Sequence, residues 1–422
     1  MIAFTFVALM VLVFLAIPVA AVMGVLALTL NFVFTDMPLW RALGEVSWGA
    51  FTEYTLLAIP LYILLGEIFL RTGIAEEMYT ALSKWVSWLP GGLMHANIAS
   101  CTLFSATSGS SVATAATIGT LAIPQQKKYG YNERLFLGSI AAGGTLGILL
   151  PPSINMIIYG VLTNSSIPQL YLAAIVPGLV MAAIFALTIL VQSSVFNDTE
   201  VRITATWGER MASLKNLVPP LIICVVIIGS IYAGIATPTE SAALGVLAVL
   251  ALAAFRRKLG VQVMLSAFEN TMRTTGMIML IIVFAYFLNF VLSGVGLSGS
   301  INALMSNLGL SPLWTLLAVI AFYVVLGCFM ETLSMMIATI PIVAPIVFMA
   351  GFDPVWFGVM MMILVELAMI TPPIGINLYV VQGIRTSGGI GDVIVGALPF
   401  VLAMFAMLAL LILFPGMTRV FL

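Results

Sequence analysis

Apolar runs of roughly bilayer-spanning length, about 20 residues, follow one another along the chain and are separated by short polar breaks. They predict ten spans, at 2–17, 18–35, 50–71, 133–162, 168–196, 215–235, 239–256, 272–294, 355–383 and 392–415. Two of them contain proline pairs, Pro151-Pro152 and Pro372-Pro373. Proline cannot continue a helical ladder, so each pair predicts a helix broken near mid-span. Two other apolar stretches, Gly91–Pro124 and Pro312–Pro345, are interrupted by small polar residues, at Ser105–Ser111 and Gly327–Thr332. Each arm has about 15 residues, or roughly 22 Å, which is short of a ~30 Å hydrocarbon core. They therefore predict re-entrant hairpins, at 91–125 and 312–347, and not pairs of spans. Ile74–Trp88 mixes charged and aromatic side chains and predicts an amphipathic arm at 74–90 lying in the interface. The polar segment 197–214 reads as a linker.

The pattern occurs twice. Gly147-Ile-Leu-Leu-Pro151-Pro152-Ser153-Ile-Asn155 returns as Ala368-Met-Ile-Thr371-Pro372-Pro373-Ile-Gly-Ile-Asn377, and Pro151 and Pro372 stand 221 positions apart. The same offset carries Pro124, Gly130, Tyr131 and Asn132 onto Pro345, Gly351, Phe352 and Asp353. The halves are thus 1–196 and 215–422, with scaffold spans at 1–71 and 215–294. Five spans per half is an odd number, so the two copies sit inverted in the membrane. Basic residues test this topology: 13 of the 15 fall on one side and only Arg41 and Arg419 on the other. The crowded side is the cytoplasm, which puts both termini outside. The expected fold is an all-α polytopic membrane protein of two inverted repeats, each with five spans, a hairpin and a Pro-Pro broken helix.

Composition agrees and excludes other classes. The chain is 62% hydrophobic and 7% charged, with a mean hydropathy of +1.20 and a net charge of −1, which argues against nucleic-acid binding. Cys101, Cys224 and Cys328 are isolated in apolar segments and read as small buried hydrophobes. His95 is the one histidine and reads as a satisfied polar residue at a helix start. There is no GxxxxGK[ST] phosphate loop and no nucleophile–base pattern, so neither ATP hydrolysis nor another enzymatic activity is expected. The abundant methionines suit adaptable packing.

Paired broken helices in the two halves of a membrane protein mark a carrier's solute and ion sites. A break leaves carbonyls, which suit hard cations, and amides, which favour anions. The first tip and break offer Ser105, Ser108, Gly109, Gly147, Leu150 and Pro152 as one sodium site. The second set is Gly327, Met330, Thr332, Ala368, Thr371 and Pro373. Neutral oxygen ligands suit Na⁺ better than a transition metal. Ser110, Ser111, Asn155, Glu331 and Asn377 are the expected solute-binding residues. Glu331 and Glu366 could tune an ion site or carry a proton, whereas Glu67 and Glu240 read as caps at helix ends. The Arg and Lys residues stand at span ends, so no intramembrane one is available to grip an anion directly, and a separate high-affinity capture step is expected.

SGSSVATAATIGTLAIP (108–124), GGTLGILLPPSINMIIYG (143–160), GIATPTESAA (234–243), GCFMETLS (327–334) and ITPPIGINLYVV (370–381) resemble the signatures of the large membrane subunit of tripartite ATP-independent periplasmic (TRAP) transporters, the DctM-like family. The resemblance implies an elevator-type secondary transporter of the bacterial inner membrane, coupled to Na⁺ and with no other cofactor. It also implies a small four-helix membrane partner (Q type), contact with lipid, and a periplasmic binding protein (P type) that delivers a carboxylate-bearing solute. Asn155 departs from the proline or apolar residue expected after Pro-Pro-Ser. The first span begins directly at the N-terminus, so the small subunit is expected as a separate chain. A stand-alone ion-coupled carboxylate carrier or antiporter is the neighbouring alternative.

Overall fold

Helix boundaries in the computed structural model fall where the sequence places caps, prolines and glycines. It describes residues 1–15, 17–195, 205–297, 299 and 311–422, and among these the regular structure is helical, with no strand. Asn132 and Asp353, one repeat apart, cap equivalent helices: their side-chain oxygens accept from the amides of Leu135 (3.2 Å) and Trp356 (2.8 Å). Thr237 and Glu240 form a reciprocal capping box at the start of Pro238–Phe255. Glu240 is therefore the cap that its place in the sequence suggests.

Both Pro-Pro pairs break their helices. Glu133–Leu149 is followed by Ile154–Thr163 at an angle of 41°, and Pro354–Ile370 is followed by Ile376–Ile384. Both Pro151–Pro152 and Pro372–Pro373 peptides are cis. The hairpins are Gly92–Ser108 with Ser111–Tyr129, and Pro312–Gly327 with Thr332–Met349. Their arms of 17, 19, 16 and 18 residues exceed the length expected from sequence. At 1.5 Å per residue they still reach only about 24–29 Å.

Six described helices are long and apolar enough to cross a membrane, or eight if each bent pair counts as one span. The first two expected spans are the shorter helices Ile2–Phe14 and Val19–Phe34. The expected span 272–294 is the later part of a 34-residue helix, Val261–Gly294. The matching part of the first half is divided at Glu53, whose carboxylate accepts from the Thr55 amide, into Leu43–Thr52 and Tyr54–Arg71. Glu53 stands there in extended backbone as the cap of the following turn, whereas its counterpart 221 positions on, Thr274, lies inside an unbroken helix. The arm expected at 74–90 is the helix Ile74–Val86. Of the linker, 197–204 lies outside the described residues and the remainder contains the helix Trp207–Ser213.

Leu135–Leu149 and Trp356–Ile370 are buried along their whole lengths, so the first parts of the two broken helices form the core. Glu133–Leu149 crosses the last helix, Ile390–Leu413, at two glycines. A Cβ at Gly138 would lie 1.9 Å from the Gly396 carbonyl oxygen, and one at Gly396 would lie 1.8 Å from that of Arg134. No side chain fits there; small residues let membrane helices approach this closely. At one end of this assembly the Arg385 guanidinium pairs with Glu133 (2.8 Å) and Asp392 (3.2 Å), and Arg134 also reaches Asp392 (3.0 Å). The Lys127 ammonium lies 3.4 Å from the hydroxyls of Thr386 and Ser387. Hairpin, both broken helices and last helix are therefore tied together at that end.

Candidate functional site

The hairpin tips come from opposite halves of the sequence and share one cavity of about 170 Å³. Ser108–Ala113 of the first tip and Glu331–Leu333 of the second line it, with Ile148, Ile154 and Asn155 from the first break and Met369 from the second broken helix. The remaining wall is Ile63, Gly66, Glu67 and Leu70 on Ala58–Arg71, Phe104 on Gly92–Ser108, and Thr274 and Ile278 on Val261–Gly294. Among the described residues no Lys or Arg lines this cavity, and the ionisable groups on its wall are Glu67 and Glu331.

Backbone proximity fixes the first tip. The chain turns at Gly109, with φ of +59°, where a Cβ would sit 3.1 Å from the Pro152 carbonyl oxygen. A Cβ at Gly147 would lie 2.9 Å from the Ser110 carbonyl carbon and 3.0 Å from the Ser111 nitrogen. Gly66 allows the same closeness on the other side, 3.2 Å from the Ser108 Cα. The tip is thus clasped between the break and a scaffold helix.

Of the first sodium set, Ser108, Gly109, Gly147 and Pro152 gather around this tip. Ser105 Oγ donates to the Cys101 carbonyl of its own helix, and the Leu150 side chain packs towards Gly178. Ser108 Oγ and Thr114 Oγ1 share a hydrogen bond at 3.0 Å. In the second set Gly327 meets Ala368, where the Cβ atoms would be 2.4 Å apart. Met330 and Thr332 are buried at the tip. Thr371 Oγ1 donates to the Leu367 carbonyl (2.6 Å), and Pro373 is exposed with its carbonyl 3.5 Å from the Tyr379 hydroxyl. The two breaks differ in surroundings: Pro151–Ile154 is wholly buried, whereas Pro373 and Ile374 are exposed.

Ser110, Ser111, Asn155 and Glu331 stand on the cavity wall. Asn155 is 4% exposed and its Nδ2 has no partner among the described residues. Asn377 is placed elsewhere, donating to Ser111 Oγ (2.9 Å) and to the Ala141 carbonyl (3.1 Å). This sets up a contrast in stability. Asn377→Ala is expected to lower the unfolding midpoint in detergent, by about 2 kcal/mol for two lost buried hydrogen bonds. Asn155→Ala, with no bond to lose, should fall within about 1 kcal/mol of the parent.

Groups freed by the breaks find partners inside the protein. The Tyr171 hydroxyl donates to the Ser153 carbonyl (3.3 Å). Glu366 is fully buried; its Oε1 accepts from the Leu149 amide (2.9 Å), and its Oε2 has no partner among the described residues. Glu331 serves as a cap, its carboxylate accepting from the amides of Leu333 (3.0 Å) and Ser334 (2.9 Å). Glu67 pairs with Arg71 and lies 3.3 Å from Asn270 Nδ2. It belongs to the cavity wall as well as to a helix end. The scaffold contributors Gly66 and Thr274 were not singled out in the sequence; a glycine inside an otherwise apolar span was the one signal for Gly66. Among the described residues no three His, Cys, Asp or Glu side chains gather where they could hold a metal ion.

The family model described as tripartite ATP-independent periplasmic transporter, DctM component, matches residues 6–417. The chain belongs to the DctM family. This DctM protein is similar to the C4-dicarboxylate TRAP transporter large permease protein DctM of Rhodobacter capsulatus, with 32% identity over 95% of this chain and 94% of that protein. It is as similar, at 32%, to the ectoine TRAP transporter large permease protein TeaC of Halomonas elongata, over 86% and 84% of the two chains. The sialic acid TRAP transporter large permease protein SiaM of Vibrio cholerae is also 32% identical, over 88% and 86%. In fold it resembles the Alcanivorax borkumensis YdaH transporter, with a TM-score of 0.62 over 98% of both chains at 17% identity. It is a multi-pass membrane transport subunit and not an enzyme.

Proposed function

We propose that this DctM protein is the large permease subunit of a sodium-driven importer of a carboxylate-bearing solute, working by an elevator motion. The observation that carries this reading is the single cavity shared by two hairpin tips and a broken helix from opposite halves. Inverted repeats, 1–196 and 215–422, would supply one tip from each membrane face. Hairpins and broken helices form the moving body, held together by the Arg385 cluster. The helices at 1–71 and 215–294 form the scaffold. Ser108 packs on Gly66, five residues or about 8 Å from Arg71 at the basic end of its helix. That level suits an inward-facing position of the body.

The membrane is the bacterial inner membrane, with both termini periplasmic. Exposed tryptophans support the two interfaces: Trp40, Trp48 and Trp314 would lie at one and Trp88 and Trp207 at the other. The proposed partners are a small Q-type membrane subunit and a P-type binding protein, which would supply the capture that a cavity without basic residues lacks. Sodium is cargo as well as driving ion, held by the neutral oxygens of the two tip-and-break sets. Each Na⁺ entering at −100 mV gains about 2.3 kcal/mol.

The test is uptake of radiolabelled solute into proteoliposomes with the small subunit, varying binding protein and cation. Uptake is expected only with both binding protein and Na⁺, and should collapse at least tenfold when K⁺ replaces Na⁺. Uptake without the binding protein would point to a stand-alone carrier.

A further inference from the structure

The two hairpin tips place equivalent helix starts on one cavity but fill them differently. Position 110 of the first half corresponds to 331 of the second, serine in one and glutamate in the other. At the second tip the protein's own Glu331 carboxylate occupies the helix start, bonded to the Leu333 and Ser334 amides and to Thr332 Oγ1. At the first tip Ser110 offers only a hydroxyl, 3.4 Å from the Ala113 amide. The amides of Ser111 and Val112 open the 19-residue helix Ser111–Tyr129 and have no partner among the described residues. Amides at a helix start favour an anion. A second, independent group faces the same cavity: the Asn155 amide, almost fully buried, with Nδ2 unpartnered. Buried donors of this kind are costly unless a ligand or water meets them.

We infer that the solute is held by one carboxylate, bound at the first tip by the Ser111 and Val112 amides and Asn155 Nδ2, and that its other end carries hydrogen-bond donors and not a second carboxylate. This rests on the transporter reading above and adds the chemical class of its solute. The far end of a small solute meets Glu331, whose carboxylate has no Lys or Arg beside it on the described wall, while the neighbouring Glu67 is paired with Arg71. A second carboxylate there would face like charge in a confined space, whereas a hydroxyl or ammonium group would find acceptors.

The test uses the purified full-length protein in lipid nanodiscs in sodium chloride, with melting midpoint as readout and γ-hydroxybutyrate, succinate and butanediol as probes. γ-Hydroxybutyrate is expected to raise the midpoint saturably. Succinate should need at least tenfold higher concentration, and butanediol should do nothing. Ser110→Glu copies the self-filled arrangement of the second tip. It should melt no lower than the parent and lose the response to γ-hydroxybutyrate, while Asn155→Leu should weaken that response about tenfold. Succinate acting at the same concentration as the hydroxy acid, or a response surviving in Ser110→Glu, would overturn the assignment and leave sodium-driven uptake standing. Lack of response to either acid would overturn it too, and would count against this cavity as the solute site.

Discussion

Gly147→Leu is expected to abolish uptake while the protein still inserts in the membrane, and Gly147→Ala to reduce uptake by about tenfold or more. The reason is what a side chain would meet. Its Cβ would stand 2.9 Å from the Ser110 carbonyl carbon and 3.0 Å from the Ser111 nitrogen, which are backbone atoms that no rotamer change can move aside. Overpacking of a tight site costs about 1–3 kcal/mol, and here the strain falls on the tip that is proposed to hold both solute and ion. Gly383→Ala is the matched control, because a Cβ there meets nothing within 4 Å. It should transport like the parent. Uptake rates normalised to membrane-inserted protein decide the matter, and near-normal transport by Gly147→Leu would remove the first tip from the mechanism.

Arg385→Ala is expected to have the second large effect, this time on stability as well as rate. The Arg385 side chain is 3% exposed and bridges Glu133 and Asp392, which are 40% and 29% exposed. Breaking a buried pair can cost 3–5 kcal/mol, but the acids left behind here remain partly hydrated, so a loss of about 2 kcal/mol is the reasonable expectation. Arg385→Lys keeps the charge but not the planar fork that serves two acids, and should recover only part of it. The denaturation midpoint of the purified variants measures this. An unchanged midpoint in Arg385→Ala would show that the cluster ties nothing together.

Much of the fold was legible because bilayer physics leaves few choices. Apolar length marks the spans, proline pairs break helices, and Asn132 and Asp353 cap equivalent helices in both halves. Side-chain direction was less legible. Asn155 and Asn377 look equivalent by motif, yet the repeat offset carries Asn155 onto Ile376, one residue earlier. One residue turns a helical side chain by about 100°. That turn takes Asn377 off the cavity and into a bond with Ser111. The far wall was hidden for a different reason. Gly66 and Thr274 belong to scaffold helices, and no local pattern records which hairpin will come to rest against them. Glu53 shows a third limit: the chain divides at this capping residue, while the counterpart segment, with Thr274, stays one helix.

The bond between Asn377 and Ser111 joins residues 266 positions apart. A ribosome adding 5–20 residues per second needs roughly 15–50 s to cover that distance. Meanwhile the nascent first hairpin and first broken helix lack their second-half partners: the amide that bonds Ser111 of the hairpin, and for the broken helix the carboxylate that bonds the Leu149 amide and the glycine against which Gly138 packs. Polar hydroxyls and bare helix ends must wait near the insertion machinery until the last fifth of the message has been read. A premature stop codon late in the gene should therefore cost the cell the whole protein, including the half already made.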